Sequence, residues 1–578
     1  MGLFGRLTRH PTVLLLTLGL IAPACGGAPQ LTAQVRATLV VHDRVVGRSP
    51  VFVGANPGLT TAPNWEAWLR DSGMNAAHEW ANMEEIEPRD EDGDYGDGVT
   101  DESGFQAARA AVLAAPEGNR YLAWSGLHFE QVDRRLGAYD RLGITPIVVI
   151  RHNGSNSTRE LNQPAWMANV PTTWADLWEF WEFAFAVAYH TAREHGAGRF
   201  MILSEPDRSV QGFGGRVEDY ERLLHYGADA ARTAVRAANP ALAPIIYGPG
   251  LADPTARRGS YLQTVLRDRP GDVDVLDYHQ YGPALNGEYA ARAQAVRDLA
   301  AQVGAPRPLF VSEYNVSRSG EHGDVDNPDD ALDLAEAQRQ LVLSGIEGML
   351  IYRFNYPAEF RNLSLIRSSP GSGRALVEET FGYQVFKQFA AAAAGDKELL
   401  EVEQSGPAAW LATRDAEHIF LLGLSRDPDV LSAEIDVAAL GLEGRAGIAR
   451  AASANQHSEI IARPVVNGGR LALVQPPASV VLVTFDRASG ISAPVALRVE
   501  ASHGELQVNR VLQLRAVATS ADGDERDVSD QVAWTSSDPS SARVNSSGLA
   551  IGLAPGAAEI AAGWGEVRSQ ATSLVVRP

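Results

Sequence analysis

The feature that most constrains this chain is a series of eight short apolar runs separated by stretches of helical periodicity. The runs occupy residues 51–56, 74–80, 145–150, 199–203, 244–248, 273–278, 308–312 and 348–352. Most are unbroken rather than alternating, the pattern of strands buried on both faces, as in a parallel sheet covered by helices. Between them, 174–192 carries Leu177, Trp178, Trp181, Phe185 and Ala188 at helical spacing, and 220–237 and 331–344 read the same way. Eight strand–helix units in about 350 residues predict an α/β chain built on a (β/α)8 barrel, here over residues 35–395. In such a barrel the residues just past each strand's C-terminal end form the active site.

Composition narrows the function. Lys and Arg number 50 against 71 Asp and Glu, a net charge of −21 across 578 residues. A chain this acidic is a poor partner for a phosphate backbone, so nucleic acid is not expected. Hydrophobic residues make up 45% and charged residues 21%, an ordinary globular balance. The lone cysteine, Cys25, excludes an intrachain disulfide.

That cysteine follows a distinctive segment. Arg6 and Arg9 precede the apolar run 13–22, and Ala22-Pro23-Ala24 matches an A-x-A cleavage site. About ten apolar residues are too few for a helical membrane span and fit the h-region of a signal peptide. Residues 1–24 are therefore expected to direct export. Cys25, followed by Gly26 and Gly27, resembles the lipobox of a bacterial lipoprotein, which implies an acylated cysteine as the first mature residue.

One segment stands apart in charge. Residues 84–102 hold ten acids against one base, Arg89. Asp90, Asp92 and Asp94 fall at i, i+2 and i+4 with glycines nearby, a density of oxygens that a calcium loop needs. Tyr95 occupies the position where such a loop requires glycine, so a solvated acidic loop is the competing expectation.

The C-terminal third changes character. Over 396–487 short apolar segments such as 409–412, 418–422 and 480–484 alternate with turn residues and predict a β-sandwich against the barrel. A further all-β unit spans 491–578. Its Trp534-Thr535-Ser536-Ser537-Asp538-Pro539 and Gly548-Leu549-Ala550-Ile551-Gly552-Leu553-Ala554-Pro555-Gly556 segments resemble a bacterial immunoglobulin-like domain of group 2. That resemblance implies a surface module rather than a catalytic one.

Chemistry concentrates at two strand ends. The fourth apolar run ends in Leu203-Ser204-Glu205-Pro206-Asp207 and the seventh in Val311-Ser312-Glu313-Tyr314-Asn315. Strands four and seven of a barrel lie across the mouth from each other, so the two glutamates can converge. Paired carboxylates are what glycoside hydrolysis requires, one protonated to serve the leaving oxygen and one ionised to face the anomeric carbon. Mutual repulsion of close carboxylates separates their titrations and hence their roles.

These two segments resemble the Asn-Glu-Pro signature of strand four and the nucleophile segment of strand seven in clan A glycoside hydrolases, with wording similar to family 39. The resemblance covers the barrel and the sandwich. It implies a retaining double displacement of β-glycosidic bonds, with Glu205 as acid/base and Glu313 as nucleophile. Ser204 stands where the clan usually has an asparagine that binds the sugar 2-hydroxyl, and its shorter side chain would need another pose or a water. Strand six ends in Asp277-Tyr278-His279-Gln280-Tyr281. The clan commonly has His-x-Tyr there, which implies that Tyr281 steadies the nucleophile with His279 alongside.

Further sugar contacts are expected from the remaining strand ends. Trp80 offers a stacking face, and Arg151, His152 and Asn153 offer hydrogen bonds. Tyr352 or Phe354 would replace the clan's tryptophan from strand eight. Arg151 and Arg353 at the mouth raise a carboxylated or sulfated sugar as substrate. No phosphate loop and no H-E-x-x-H spacing occur, so neither a cofactor nor a metal is expected. The expected protein is an exported, monomeric glycoside hydrolase with a carbohydrate substrate and a lipid anchor at Cys25. A carbohydrate-binding surface protein with a degenerate barrel is the alternative, and a transglycosylase would use the same residues.

Overall fold

The computed structural model describes residues 35–578 except 59–61, 91–92, 152–171, 209–215, 285–286, 318–322, 356–361, 369–374 and 488–493. The expectations for the signal segment, Cys25, His152 and Asn153, and for Asp92 in the acidic segment, lie outside the described residues.

Nine strands set the frame: β1 (Val35–Arg48), β2 (Phe52–Ala55), β3 (Ala76–Asn82), β4 (Thr145–Arg151), β5 (Arg199–Ile202), β6 (Ile245–Leu251), β7 (Val275–Tyr281), β8 (Leu309–Asn315) and β9 (Gly348–Ile351). β2 to β9 form a closed parallel barrel in sequence order, sealed by pairing of β2 with β9. These are the eight apolar runs. Their unbroken character has a direct cause in β4. Ile147 and Val149 pack into the barrel interior with Phe52, Met201, Tyr247, Phe310 and Leu350, while Val148 and Ile150 join the outer layer under the helices. Gly54 admits the close approach of β3, because a Cβ there would lie 1.9 Å from the Ala76 carbonyl oxygen.

The helix Trp174–His195 covers one side of the barrel. Thr173 and Asp176 form a reciprocal capping box at its start, which satisfies two otherwise orphaned amides. Trp178, Trp181, Phe185 and Tyr189 stack in succession along it, with ring centroids 5.2 to 5.8 Å apart. The helix Val217–Ala238 packs beside it, and Pro328–Leu343 packs against Phe381–Ala393.

β1 corrects one expectation. Residues 35–48 do not belong to the barrel. β1 lies inside a nine-stranded sheet, antiparallel to Glu398–Ser405 and parallel to Leu431–Asp436. Its inward residues Ala37, Leu39 and Val41 share a core with Leu421, Ile435, Leu473 and Val483. The reason is visible in the alternation of those residues with Arg36, Thr38 and Val40, a pattern that buries one face only. The chain thus places its first strand in this nine-stranded sheet before it enters the barrel. The helix Phe381–Ala393 leads back from the barrel and packs on that sheet.

The C-terminal unit has its own two small cores, one around Leu512, Ile560 and Leu574 and one around Leu497, Val528 and Trp564. It docks on the body through a buried polar cluster. Asp71 accepts hydrogen bonds from Lys387 at 2.9 Å, from Asn545 at 3.1 Å, and from Tyr383 and Ser547.

The acidic segment spends its charge on local structure. Asp101 caps the helix Glu102–Ala114, Asp97 accepts the Trp178 indole N–H at 2.8 Å, and Asp90 accepts from the Gly93 amide. Among the described residues, three potential ligands gather elsewhere, at Glu205, His279 and Glu313.

Candidate active site

Glu205 stands three residues beyond the last strand residue of β5, and Glu313 lies within β8 near its C-terminal end. The backbone at Glu205 is unusual. Leu203 has φ +64° and Glu205 φ +50°, both in the left-handed region that side chains other than glycine seldom adopt. The Glu205 amide is fixed by the Gly250 carbonyl at 2.9 Å, so the neighbouring β6 enforces this conformation. Backbone strain of this kind is held where the surroundings over-determine it, commonly at functional positions.

β7 supplies the residues between the two acids. Asp277, His279 and Tyr281 alternate along it and share its inner face. The register of β7 against β8 shifts between Tyr278 and His279, and this lets consecutive Ser312 and Glu313 both meet inward groups of β7. Ser312 donates from its amide and hydroxyl to Asp277 at 3.0 and 2.7 Å. His279 Nδ1 lies 3.0 Å from Glu205 Oε1 and 3.3 Å from Glu313 Oε2. The Tyr281 hydroxyl donates to Glu313 Oε2 at 2.6 Å. A carboxylate oxygen of Glu205, one of Glu313 and a ring nitrogen of His279 lie within 4.8 Å of one another.

Charge follows from this packing. Burial would make the Glu205 acid harder to ionise, but the bond to His279 and the charges of His279 and Arg208 outweigh it and bring it down to about 2. Burial would likewise neutralise His279, yet the Glu313 charge and the Glu205 bond push it up to about 9. One proton is therefore held between two carboxylates, on His279 at neutral pH. Burial raises Asp277 to about 7. His78, fully buried, is driven well below its usual range by burial and then by the positive charges of His279, Arg151 and Arg353.

The surrounding residues fall into two groups. Arg151 lies 4.6 Å over the Trp80 ring, and the Arg353 guanidinium lies 4.3 Å over the Tyr352 ring and donates to the Tyr352 hydroxyl at 2.7 Å. Tyr352 meets Tyr281 edge-on at 6.0 Å. These four residues thus gather beside the nucleophile side of the mouth, and Ser204 is buried next to Glu205. Phe354 goes elsewhere. It is fully buried in the outer core with its ring 6.2 Å from Tyr383, so Tyr352 is the aromatic that β9 presents to the mouth. Glu79, adjacent to Trp80, also points away, to a buried pair with Arg135 at 2.6 Å.

Four residues of the site were not singled out from sequence. Arg208 donates to Glu205 Oε2 at 2.6 Å. Its spacing of three from Glu205 was the available signal, since the turn closes with the Arg208 amide on the Glu205 carbonyl at 3.0 Å. Asn56 binds the His78 ring and the Ser312 carbonyl, and Asp277 orients Ser312. Asn56, His78 and Asp277 close strand-end layers below the acids, and their roles depend on cross-barrel neighbours that spacing does not reveal.

A closed parallel barrel joined to a large β-sheet is a fold in which this chain is similar to a set of solved glycosidase structures. A glucosidase from Croceicoccus marinus aligns over 79% of this chain and 100% of its own, with TM-score 0.58 and 15% identity. A GH39 enzyme from Xanthomonas axonopodis pv. citri aligns over 80% and 100%, with TM-score 0.55 and 14% identity. A monomeric beta-xylosidase from Caulobacter crescentus CB15 aligns over 79% and 100%, with the same TM-score and identity. At such identity the likeness establishes the fold. Residues 498–575 match the family described as Bacterial Ig-like domain (group 2), so the chain ends in an immunoglobulin-like module. No curated protein sequence matches the chain.

Proposed function

We propose that the protein is a retaining glycoside hydrolase that cleaves β-glycosidic bonds of an oligo- or polysaccharide by double displacement. The observation that carries this reading is the approach of Glu205 and Glu313 to within 4.8 Å at the C-terminal end of the barrel. Retaining enzymes hold their two carboxyl groups about 5 Å apart, whereas inverting ones leave room for a water between them. The likeness in fold to solved glycosidases supports the same assignment.

The bonds on the page give each residue a task. Tyr281 and His279 both engage Glu313 Oε2, which leaves Oε1 to attack the anomeric carbon. The proton on His279 Nδ1 passes to Glu205 Oε1 and from there to the glycosidic oxygen as the C1–O bond breaks and the Glu313 ester forms. In the second half, water attacks C1, its proton returns through Glu205 to His279, and the ester bond to Glu313 breaks. Glu205 is thus acid and then base. Trp80, Arg151, Tyr352 and Arg353 are assigned to binding the sugar on the nucleophile side. Export through residues 1–24, acylation of Cys25 and a monomeric state belong to the same proposal. Metabolic labelling with palmitate, lost in Cys25→Ser, checks the anchor.

The test is an assay of wild type and Glu313→Ala on a panel of aryl β-glycosides. Turnover by wild type and its loss in the variant are expected. Sugar binding without turnover by the wild type would favour the carbohydrate-binding alternative.

A further inference from the structure

The proposed acid of this site is paired with a cation on the oxygen that His279 does not engage. Arg208 donates to Glu205 Oε2 at 2.6 Å, and among the described residues Glu205 is its side-chain hydrogen-bond partner. The Arg208 side chain is 34% exposed while that of Glu205 is 11% exposed, so the guanidinium is the more solvent-facing partner of the pair. Its neighbour Asp207 is engaged elsewhere, accepting the Ala252 and Asp253 amides at 2.9 and 3.0 Å. Arg208 lies against the acid rather than the nucleophile, which places it on the side where the leaving sugar sits. Together with His279, it holds Glu205 ionised, the wrong state for protonating a leaving group.

We propose that Arg208 is a specificity-determining residue that selects substrates carrying a carboxylate or sulfate on the leaving sugar, the guanidinium exchanging Glu205 for that anion. This rests on the hydrolase reading above and names its substrate class. The exchange is favourable because one charge-assisted ion pair replaces another. A neutral leaving sugar offers no such partner, and pulling Arg208 off Glu205 would then leave a half-buried cation without its partner and Glu205 held by His279 alone. Once Arg208 has moved, Glu205 loses a stabilising positive charge, and transfer of the His279 proton to Glu205 Oε1 becomes easier. No atom is gained or lost in this step: one proton moves from nitrogen to oxygen and then to the glycosidic oxygen. Because the substrate anion promotes the protonation of the acid, its effect falls on kcat as well as on KM. Arg151 and Arg353, stacked on Trp80 and Tyr352 in the same mouth, add basic character to a site in an otherwise strongly acidic chain.

The experiment uses the full chain and oligosaccharides matched in backbone and linkage, with the leaving sugar neutral, 6-carboxylated or 6-O-sulfated. Wild type is expected to turn over one of the acidic series with kcat at least tenfold above its neutral match, and the two acidic arms tell carboxylate from sulfate. Arg208→Gln should abolish that kcat preference, bringing the ratio of kcat on the acidic member to kcat on the neutral one to about one. Arg208→Lys should recover part of the preference. Equal kcat across matched members in wild type, or an equal loss on both in Arg208→Gln, overturns the proposal while leaving the hydrolase reading intact. If no member of any series is cleaved and no covalent adduct forms on Glu313, the hydrolase reading itself fails and this inference fails with it.

Discussion

His279 carries a prediction that joins stability to activity. It is fully buried between two carboxylates and titrates near 9 in the folded protein, against an ordinary value of 6.5. A group whose folded value is raised stabilises the fold fully below its unfolded value and loses that contribution as pH rises through the folded one. The window is therefore pH 6.5 to 9. Across that window the raised value contributes about 3 kcal/mol of stability. Urea unfolding of wild type and His279→Gln, followed by tryptophan fluorescence at pH 6, 8 and 10, isolates this contribution, because titrations common to both proteins cancel. The stability advantage of wild type should shrink by about 3 kcal/mol between pH 6 and 10. The same proton is the one delivered to the leaving group, so kcat/KM of wild type should fall on an alkaline limb near pH 9. That limb should be absent from the residual activity of His279→Gln. A stability difference that stays constant across the range, or an unchanged alkaline limb in the variant, would refute the shared-proton reasoning.

Three further substitutions probe other parts of the account. Glu205→Ala should lower kcat/KM by about 10²- to 10⁴-fold for substrates with sugar leaving groups, while dinitrophenyl glycosides, whose leaving group needs no proton, keep a fast first step in a burst assay. Tyr281→Phe removes the 2.6 Å bond to Glu313; a bond to a charged group is worth about 1.5–3 kcal/mol, so steady-state assays should show a loss of about 10- to 150-fold with an unchanged circular dichroism spectrum. Asp71→Ala leaves Lys387 without its 2.9 Å partner in the cluster beneath the immunoglobulin-like module. It should cost about 3–5 kcal/mol in denaturant unfolding.

What sequence could reveal here follows from which interactions are local. The eight barrel strands were legible because burial on both faces leaves continuous apolar runs, as Ile147 to Ile150 show. The convergence of Glu205 and Glu313 followed from strand ends, since barrel geometry brings C-terminal ends to one rim, whereas His279 and Tyr281 were implied by the family resemblance. The membership of Val35–Arg48 was not legible. Its alternation demanded a one-faced sheet, but the choice of Glu398–Ser405 as partner is a pairing across more than three hundred residues. The choice between Tyr352 and Phe354 was ambiguous for a simpler reason. At a strand end one residue faces the mouth and another faces the helices, and only the register decides which. Arg208 was within reach, three residues from an acid already marked, but the acidic neighbours around it drew no attention to its pairing. Among the acids of 84–102, Asp101 caps a helix and Asp97 accepts an indole N–H, roles that depend on partners distant in sequence or on cap geometry.

Reaction of the full chain with an activated 2-deoxy-2-fluoro β-glycoside, followed by proteolysis and mass spectrometry, is the most direct measurement of the central claim. The account predicts one sugar attached through an ester to the peptide containing Glu313, with the β configuration regained in the product of an unfluorinated substrate. A product of inverted configuration, or a label on any other residue, would contradict it.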